Sequence, residues 1–219
     1  MNQDSIQAIV KEVVERLSTQ AESGNTTVPM AISARHCHLS KEDVEALFGK
    51  GYELTIRSEL SQPGQFAANE TISIAGPRGS IEKVRILGPA RSMTQVEVSQ
   101  TDSIRLGPKV PLRISGDIAG SAPITIIGPK GSLYKKEGCI VARAHIHMTP
   151  KDARAFNVRD GEWVRVTVEG ERPVTFEKIM IRVSDRYKLE MHIDTDEANT
   201  GLIFPGQEGI IKKYGENHD

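Results

Sequence analysis

The chain has 219 residues, 38% of them hydrophobic, enough to bury a real core in one large domain or two small ones. Charged residues make up 26% but nearly cancel, and the net charge of −1 with a pI of about 6.6 excludes a general basic field for gripping nucleic acid or an anionic membrane. Two cysteines, Cys37 and Cys139, are too few for a disulfide framework, and with no signal sequence or long apolar run in view a reducing, cytoplasmic-type compartment is expected.

Ile6, Ile9, Val10, Val13, Val14 and Leu17 recur at the i, i+3, i+4, i+7 spacing of an amphipathic helix, which Asp4 or Ser5 can cap. Residues 18–27 (STQAESGNTT) are small and polar and read as a flexible tether, so this helix stands apart from the body of the chain. A helix this short is marginal alone and needs a docking surface. Its own body, a twin subunit in a homo-oligomer and a targeting partner all satisfy that need, and the helix by itself does not choose among them.

From Val28 onward the signals are β. Runs such as ELTI, TISIAG, VRILG, TQVEVS, ITIIG, VRVTV and KLEMHI are punctuated by Gly-Pro turns at 76–77, 88–89, 107–108 and 128–129. Many short strands with regular turns predict a mainly β barrel or sandwich, and with aromatics at 5% its core must be aliphatic.

The body also repeats itself. RHCHLSKEDVEAL (35–47) aligns without gaps on AHIHMTPKDARAF (144–156), placing His36 and His38 opposite His145 and His147. Both copies pass from His-x-His into a helix start, Ser40 with Asp43 in one and Thr149 with Pro150 and Asp152 in the other, each a capping-box pattern. EKVRILGPARSMTQVEVSQTD (82–102) then aligns on EKIMIRVSDRYKLEMHIDTDE (177–197), with Glu97 opposite His192 and Arg91 opposite Arg186. The expected organisation is therefore a 1–27 helix and tether, a first unit over 28–120 and a second over 121–219, with the bridge near 115–138.

Five of the six histidines fall at these repeated positions, while His218 lies in the tail. An extended His-x-His puts both imidazoles on one face, because side chains alternate along a strand. His36, His38 and Glu97 then make one three-ligand site, and His145, His147 and His192 the other. Imidazole with an occasional carboxylate suits zinc, and three protein ligands leave a fourth position open, as in catalytic sites. Cys37 points to the opposite face and reads, like Cys139, as a small buried hydrophobe. Arg91, in the turn before Glu97, either clamps a phosphate bidentately or closes a surface ion pair, and Arg78, Lys83 and Arg85 make its neighbourhood cationic.

The set SARHCHLS, QPGQFAANET, RILGPARSMTQVEVSQTD, ARAHIHMTP and LEMHIDTDEAN, spanning residues 28–202, resembles the phosphate propanoyltransferase family, the propanediol-utilization type of phosphotransacylase. The resemblance implies two tandem β-barrel units capped by short α-helices, and reversible conversion of acyl-CoA (propanoyl-CoA or acetyl-CoA) plus phosphate to acyl phosphate plus CoA. It implies two zinc ions on the two triads above, phosphate positioned by Arg91, and CoA contacts at Ala31, Ile32 and Ser33, with Arg78, Arg85 and Asn199 as further contacts. It also implies that residues 1–27 act as an encapsulation peptide for a bacterial microcompartment, whose shell or co-encapsulated enzymes are then partners. Nucleic acid and membrane are not among the expected partners.

Two other readings use the same residues. A two-metal hydrolase would activate water in place of phosphate but has no use for a CoA groove. A non-enzymatic, metal-stabilised microcompartment component would leave the open coordination positions without purpose. The residues also contain no Ser-His-Asp spacing that would suggest an acyl-enzyme.

Overall fold

The computed structural model describes residues 27–214; the expected N-terminal helix and His218 lie outside them. The body is built of β1 (Thr27–Ser33), β2 (His36–His38), β3 (Ile56–Glu59), β4 (Phe66–Ala75), β5 (Ser80–Gly88), β6 (Gln95–Glu97), β7 (Leu112–Arg113), β8 (Ala122–Gly128), β9 (Gly131–Ala142), β10 (His145–Met148), β11 (Trp163–Val168), β12 (Val174–Val183), β13 (Glu190–Asp194) and β14 (Glu208–Lys213). Four short helices intervene: α1 (Lys41–Phe48), α2 (Gln100–Leu106), α3 (Pro150–Ala155) and α4 (Thr195–Gly201). Among the described residues no helix is long and apolar enough to cross a membrane.

The strands close into two six-stranded barrels. One runs β1-β13-β10-β12-β11-β14; the other runs β4-β5-β2-β6-β9 and is closed by β8, which pairs with both β4 and β9, while β3 and β7 attach at its sides. Closure removes most free edges, which an open sheet of this many strands would otherwise expose. Each barrel has its own aliphatic core. Leu39, Leu47, Ile74, Ile86 and Ile126 fill the first, and Met30, Ile146, Met148 and Ile181 fill the second, all fully buried. Each such side chain contributes about 1.5–3 kcal/mol by leaving water.

Internal duplication is visible down to the backbone. Lys83 and Lys178, opposite one another in the repeat, both adopt positive φ (56° and 57°). Each is the extra residue of a β-bulge, in β5 against β4 and in β12 against β11. Helices α2 and α4 also match, with capping boxes built by Ser99 with Asp102 and by Asp194 with Glu197. The expected capping box of α3 forms in full, with Thr149, Asp152 and Pro150 in its first turn. That of α1 forms by half: Ser40 accepts from the Asp43 N–H, but the Asp43 carboxylate is taken by the Thr94 hydroxyl and by the Lys135 ammonium at 2.5 Å.

Strand pairing does not follow a division of the chain at residue 120. β1, which leads into the first His-x-His, pairs with β13 and β14 of the second barrel. β8 and β9, which precede the second His-x-His, complete the first barrel through β4 and β6. The two lead-in strands are thus exchanged: Ala31 is in register with His192, and its repeat counterpart Ile140 with Glu97. With the lead-in strands passing between barrels, both His-x-His strands open onto one cavity.

The ELTI run is strand only from Ile56, and β3 is exposed throughout. Gly76, in the β4–β5 turn, lies against α2, where an added Cβ would sit 2.4 Å from the Leu106 carbonyl oxygen. Because that neighbour is backbone, it cannot rotate away. Gly76→Ala is expected to destabilise the fold by about 1–3 kcal/mol, read as a lower urea midpoint at unchanged slope; an unaltered midpoint would mean that hairpin and helix are not in such close contact.

Candidate active site

The pleat assembles both triads. β2 lies between β5 and β6, with His36 directly opposite Glu97 in the antiparallel β2–β6 pair. His36, His38 and Glu97 therefore share one face, and one ligand atom from each falls within 4.8 Å of the others. The same strand pairing recurs where β10 lies between β12 and β13 and His145 is opposite His192, but among the described residues only the first triad brings its ligand atoms within 4.8 Å of one another. In the second the ring centroids are 4.7 Å (His145–His147), 4.8 Å (His147–His192) and 5.3 Å (His145–His192) apart.

Backbone carbonyls orient most of the rings. Nδ1 of His36 faces the Ala34 carbonyl at 2.9 Å, that of His38 the Leu87 carbonyl at 3.2 Å, and that of His145 the Arg143 carbonyl at 2.9 Å. A carbonyl only accepts, so each Nδ1 carries its proton and Nε2 keeps a free lone pair, the arrangement in which histidine binds a metal. Glu97 is fixed by Gln95 and Ser115, which both donate to Oε1 at 2.6 Å, leaving Oε2 3.6 Å from His36 Nε2. In the second triad, His147 Nδ1 and His192 Nε2 are buried with no hydrogen bond; Glu190 comes within 3.2 Å of the latter but out of alignment. Buried polar atoms without a hydrogen bond are rare, and His147 Nδ1 and His192 Nε2 are two of them.

The charge states agree. Burial holds His145 down to about 4 and His147 down to about 2, helped by the neighbouring histidines, so both are neutral and ready to coordinate. His38 is likewise lowered to about 3, by burial first and then by His36 and Arg91. Burial opposes charge on His36 and Glu97 as well, but their mutual attraction prevails, raising the imidazole and lowering the carboxylate. An ionised carboxylate at that depth requires a cation beside it.

All six residues of the two triads line one cavity of about 550 Å³, together with Ala31, Ile32, Ser33, Arg85 and Arg91. Arg91 is placed by its N–H to the Leu39 carbonyl at 2.8 Å, and its guanidinium reaches Gln65 Oε1 at 3.4 Å. Arg186, its counterpart in the repeat, is exposed and outside the cavity lining. Ser33 Oγ lies 3.5 Å from His192 Nδ1, and Arg85 donates to the Ala68 and Asn69 carbonyls at 2.8 and 3.0 Å. Arg78 and Asn199 do not line the cavity. Arg78 is exposed in the β4–β5 turn with its side-chain stem against Gly107, and Asn199 is exposed on α4. Cys37 and Cys139 are free and fully buried in the first core, where burial pushes both thiols up, Cys139 to about 12. They are spectators, as expected of small hydrophobes.

Several residues at the site escaped the sequence reading. Ser115 lies in the stretch taken as a bridge between units, and Gln95 sits two residues before its partner Glu97 on β6. Gln62 spans the barrels, exchanging hydrogen bonds with the Lys188 backbone at 3.0 and 3.2 Å, and Tyr187 stacks on His147 at 4.1 Å. Arg182, on β12, also lines the cavity. The paired glutamines of QPGQF, in a turn where charged or small residues are commoner, were the available hint for the crossing strap.

Comparison with known proteins agrees with this geometry. Residues 29–203 match the family model described as phosphate propanoyltransferase. The chain is 68% identical over 216 residues to the phosphate propanoyltransferase of Priestia megaterium, covering 99% of both proteins. It is 53% identical to that of Lachnoclostridium phytofermentans (94% of this chain, 98% of that protein) and 51% identical to that of Thermotoga maritima (96% and 99%). On full-length similarity of this degree, over a body that carries the matched histidine triads, the chain belongs to the phosphate propanoyltransferase family and is an acyltransferase.

Proposed function

We propose that the chain transfers a propanoyl or acetyl group from CoA to inorganic phosphate, reversibly, by direct attack of phosphate in the cavity between the barrels. The observation that carries this reading is the convergence of two ligand triads and Arg91 on one cavity of about 550 Å³. Its ligand sets, His36, His38 and Glu97, and His145, His147 and His192, suit two zinc ions. Zinc there would have three protein donors at each site and an open position, and would supply Lewis acidity to a reacting oxygen.

The chain's own groups account for the rest. Arg91 offers two parallel N–H donors to two phosphate oxygens, which orients a third toward the thioester carbonyl carbon. As the new C–O bond forms, the carbonyl π pair moves to oxygen; its return expels CoA as thiolate and leaves the acyl phosphate. No side-chain nucleophile takes part, and both cysteines are buried away from the cavity. Ala31, Ile32, Ser33 and Arg85, on the cavity wall beside the triads, are proposed to meet the thioester end. Arg78 and Asn199, exposed outside it, are left for the nucleotide end. Residues 1–27 are proposed to act as an encapsulation peptide that delivers the enzyme to a bacterial microcompartment and its shell or enzymes.

Release of thiol from propanoyl-CoA tests the reaction. Thiol should appear on addition of phosphate, in step with acyl phosphate, cease after metal is stripped and return with zinc. Thiol release without phosphate, yielding free propanoate, would replace transfer by hydrolysis.

A further inference from the structure

The duplication is symmetric in its ligands but not in its arginines. Leu87 of the first unit and Arg182 of the second occupy the same repeat position, each next to its own His-x-His strand, and both line the cavity. Arg91 lines it from the first unit, whereas its counterpart Arg186 does not. The first unit therefore brings Arg91 and the second Arg182 to the cavity, from different repeat positions.

Arg182 is in register with His147 and has little to hold its charge. Its Nη1 donates to the Ser115 carbonyl at a long 3.4 Å, its guanidinium lies 6.0 Å over the Tyr187 ring, and among the described residues it makes no ion pair. Four arginines line the cavity (Arg35, Arg85, Arg91 and Arg182) against a single carboxylate, Glu97. That carboxylate is engaged by His36, Gln95 and Ser115, and Arg35 is paired with Asp102. Arg91 keeps solvent access yet is lowered by desolvation first, with the like charge of Arg182 adding to this and Glu97 opposing it. Two guanidiniums lining one cavity, neither in an ion pair among the described residues, suit a doubly charged anion between them.

We propose that Arg182 is a second phosphoryl-binding residue, which with Arg91 holds the attacking phosphate, or in reverse the acyl phosphate, between the two barrels. This rests on the transacylase reading above. Phosphate is the fitting ligand because a dianion with three or more free oxygens satisfies two forks at once, which a thioester carbonyl cannot.

Arg182→Ala and Arg182→Lys, with metal content measured in each, test it in the phosphate-dependent thiol assay. Arg182→Ala should raise KM for phosphate by about 10- to 100-fold, as expected for loss of a charged hydrogen-bond donor, with KM for propanoyl-CoA and zinc content unchanged. Arg182→Lys should recover part of this, since the ammonium restores charge but not the fork; should the alanine variant fail to fold, the lysine variant alone decides, by a smaller rise in KM for phosphate with KM for propanoyl-CoA and zinc content unchanged. A wild-type KM for phosphate, a rise confined to propanoyl-CoA, or a loss that tracks zinc would overturn the assignment. An active wild type with unaffected variants refutes only this inference, whereas a wild type without phosphate-dependent thiol release removes the reading beneath it.

Discussion

Arg91→Ala is expected to lower phosphate-dependent turnover by about 10²- to 10³-fold, the range seen when one preorganised donor is removed from a reacting anion. The side chain is free to be lost. It is exposed on the cavity wall, among the described residues its guanidinium hydrogen-bonds only Gln65, and the backbone bond that fixes the segment, Arg91 N–H to the Leu39 carbonyl, survives substitution. Folding and zinc content should therefore stay at wild-type levels while KM for phosphate rises and kcat falls. Arg91→Lys should remain poor, because a single ammonium cannot present two parallel donors to phosphate. An unaltered KM for phosphate in Arg91→Ala would remove Arg91 from the proposed role, whatever the fate of Arg182.

Removing a ligand from either triad should abolish activity, with different consequences for the protein lacking metal. Partners one bond further from a metal already cost about 10- to 100-fold in affinity or rate, so His36→Ala and His147→Ala should each exceed this and lose the ion of their own triad. In His36→Ala, the Glu97 carboxylate keeps Gln95 and Ser115 but loses the imidazole whose attraction lowers it against burial. The metal-free variant should unfold at a clearly lower temperature than the metal-free wild type. His147→Ala removes a ring whose Nδ1 has no partner and that burial holds neutral, so its metal-free form should be little changed or more stable. Full zinc content with full activity in either variant would dismiss that triad as a metal site; equal melting shifts in the metal-free proteins would contradict the charge asymmetry between them.

The sequence carried whatever depends on local period and on repetition. Alternation within the strands, Gly-Pro turns at the ends of β4, β5 and β8 and of α2, and the Thr149–Asp152 cap are consequences of neighbouring residues, and each is readable without a fold. The two His-x-His pairs were legible because side chains two apart on a strand must share a face. Glu97 and His192 were found through the repeat alone, since nothing near Glu97 in sequence marks it as the cross-strand partner of His36.

What tertiary structure decided was which strand lies beside which. β pairing joins residues far apart in the chain, and no local signal states that β1 belongs with β13 while β9 belongs with β6, so a contiguous division was the natural expectation and the exchanged one is what forms. The same cause hid the support around the ligands. Ser115 comes to Glu97 from a stretch that reads as a connection, Gln62 reaches Lys188 across more than a hundred residues, and Arg182 enters the cavity only because β12 lies alongside β10. Residue types and their spacing determined by themselves which side chains can bind a cation, since that is a property of donor atoms and pleat. Their convergence on a single cavity shared with Arg91 and Arg182 was settled only by closure of the two barrels, because electrostatic proximity is a property of distance in space.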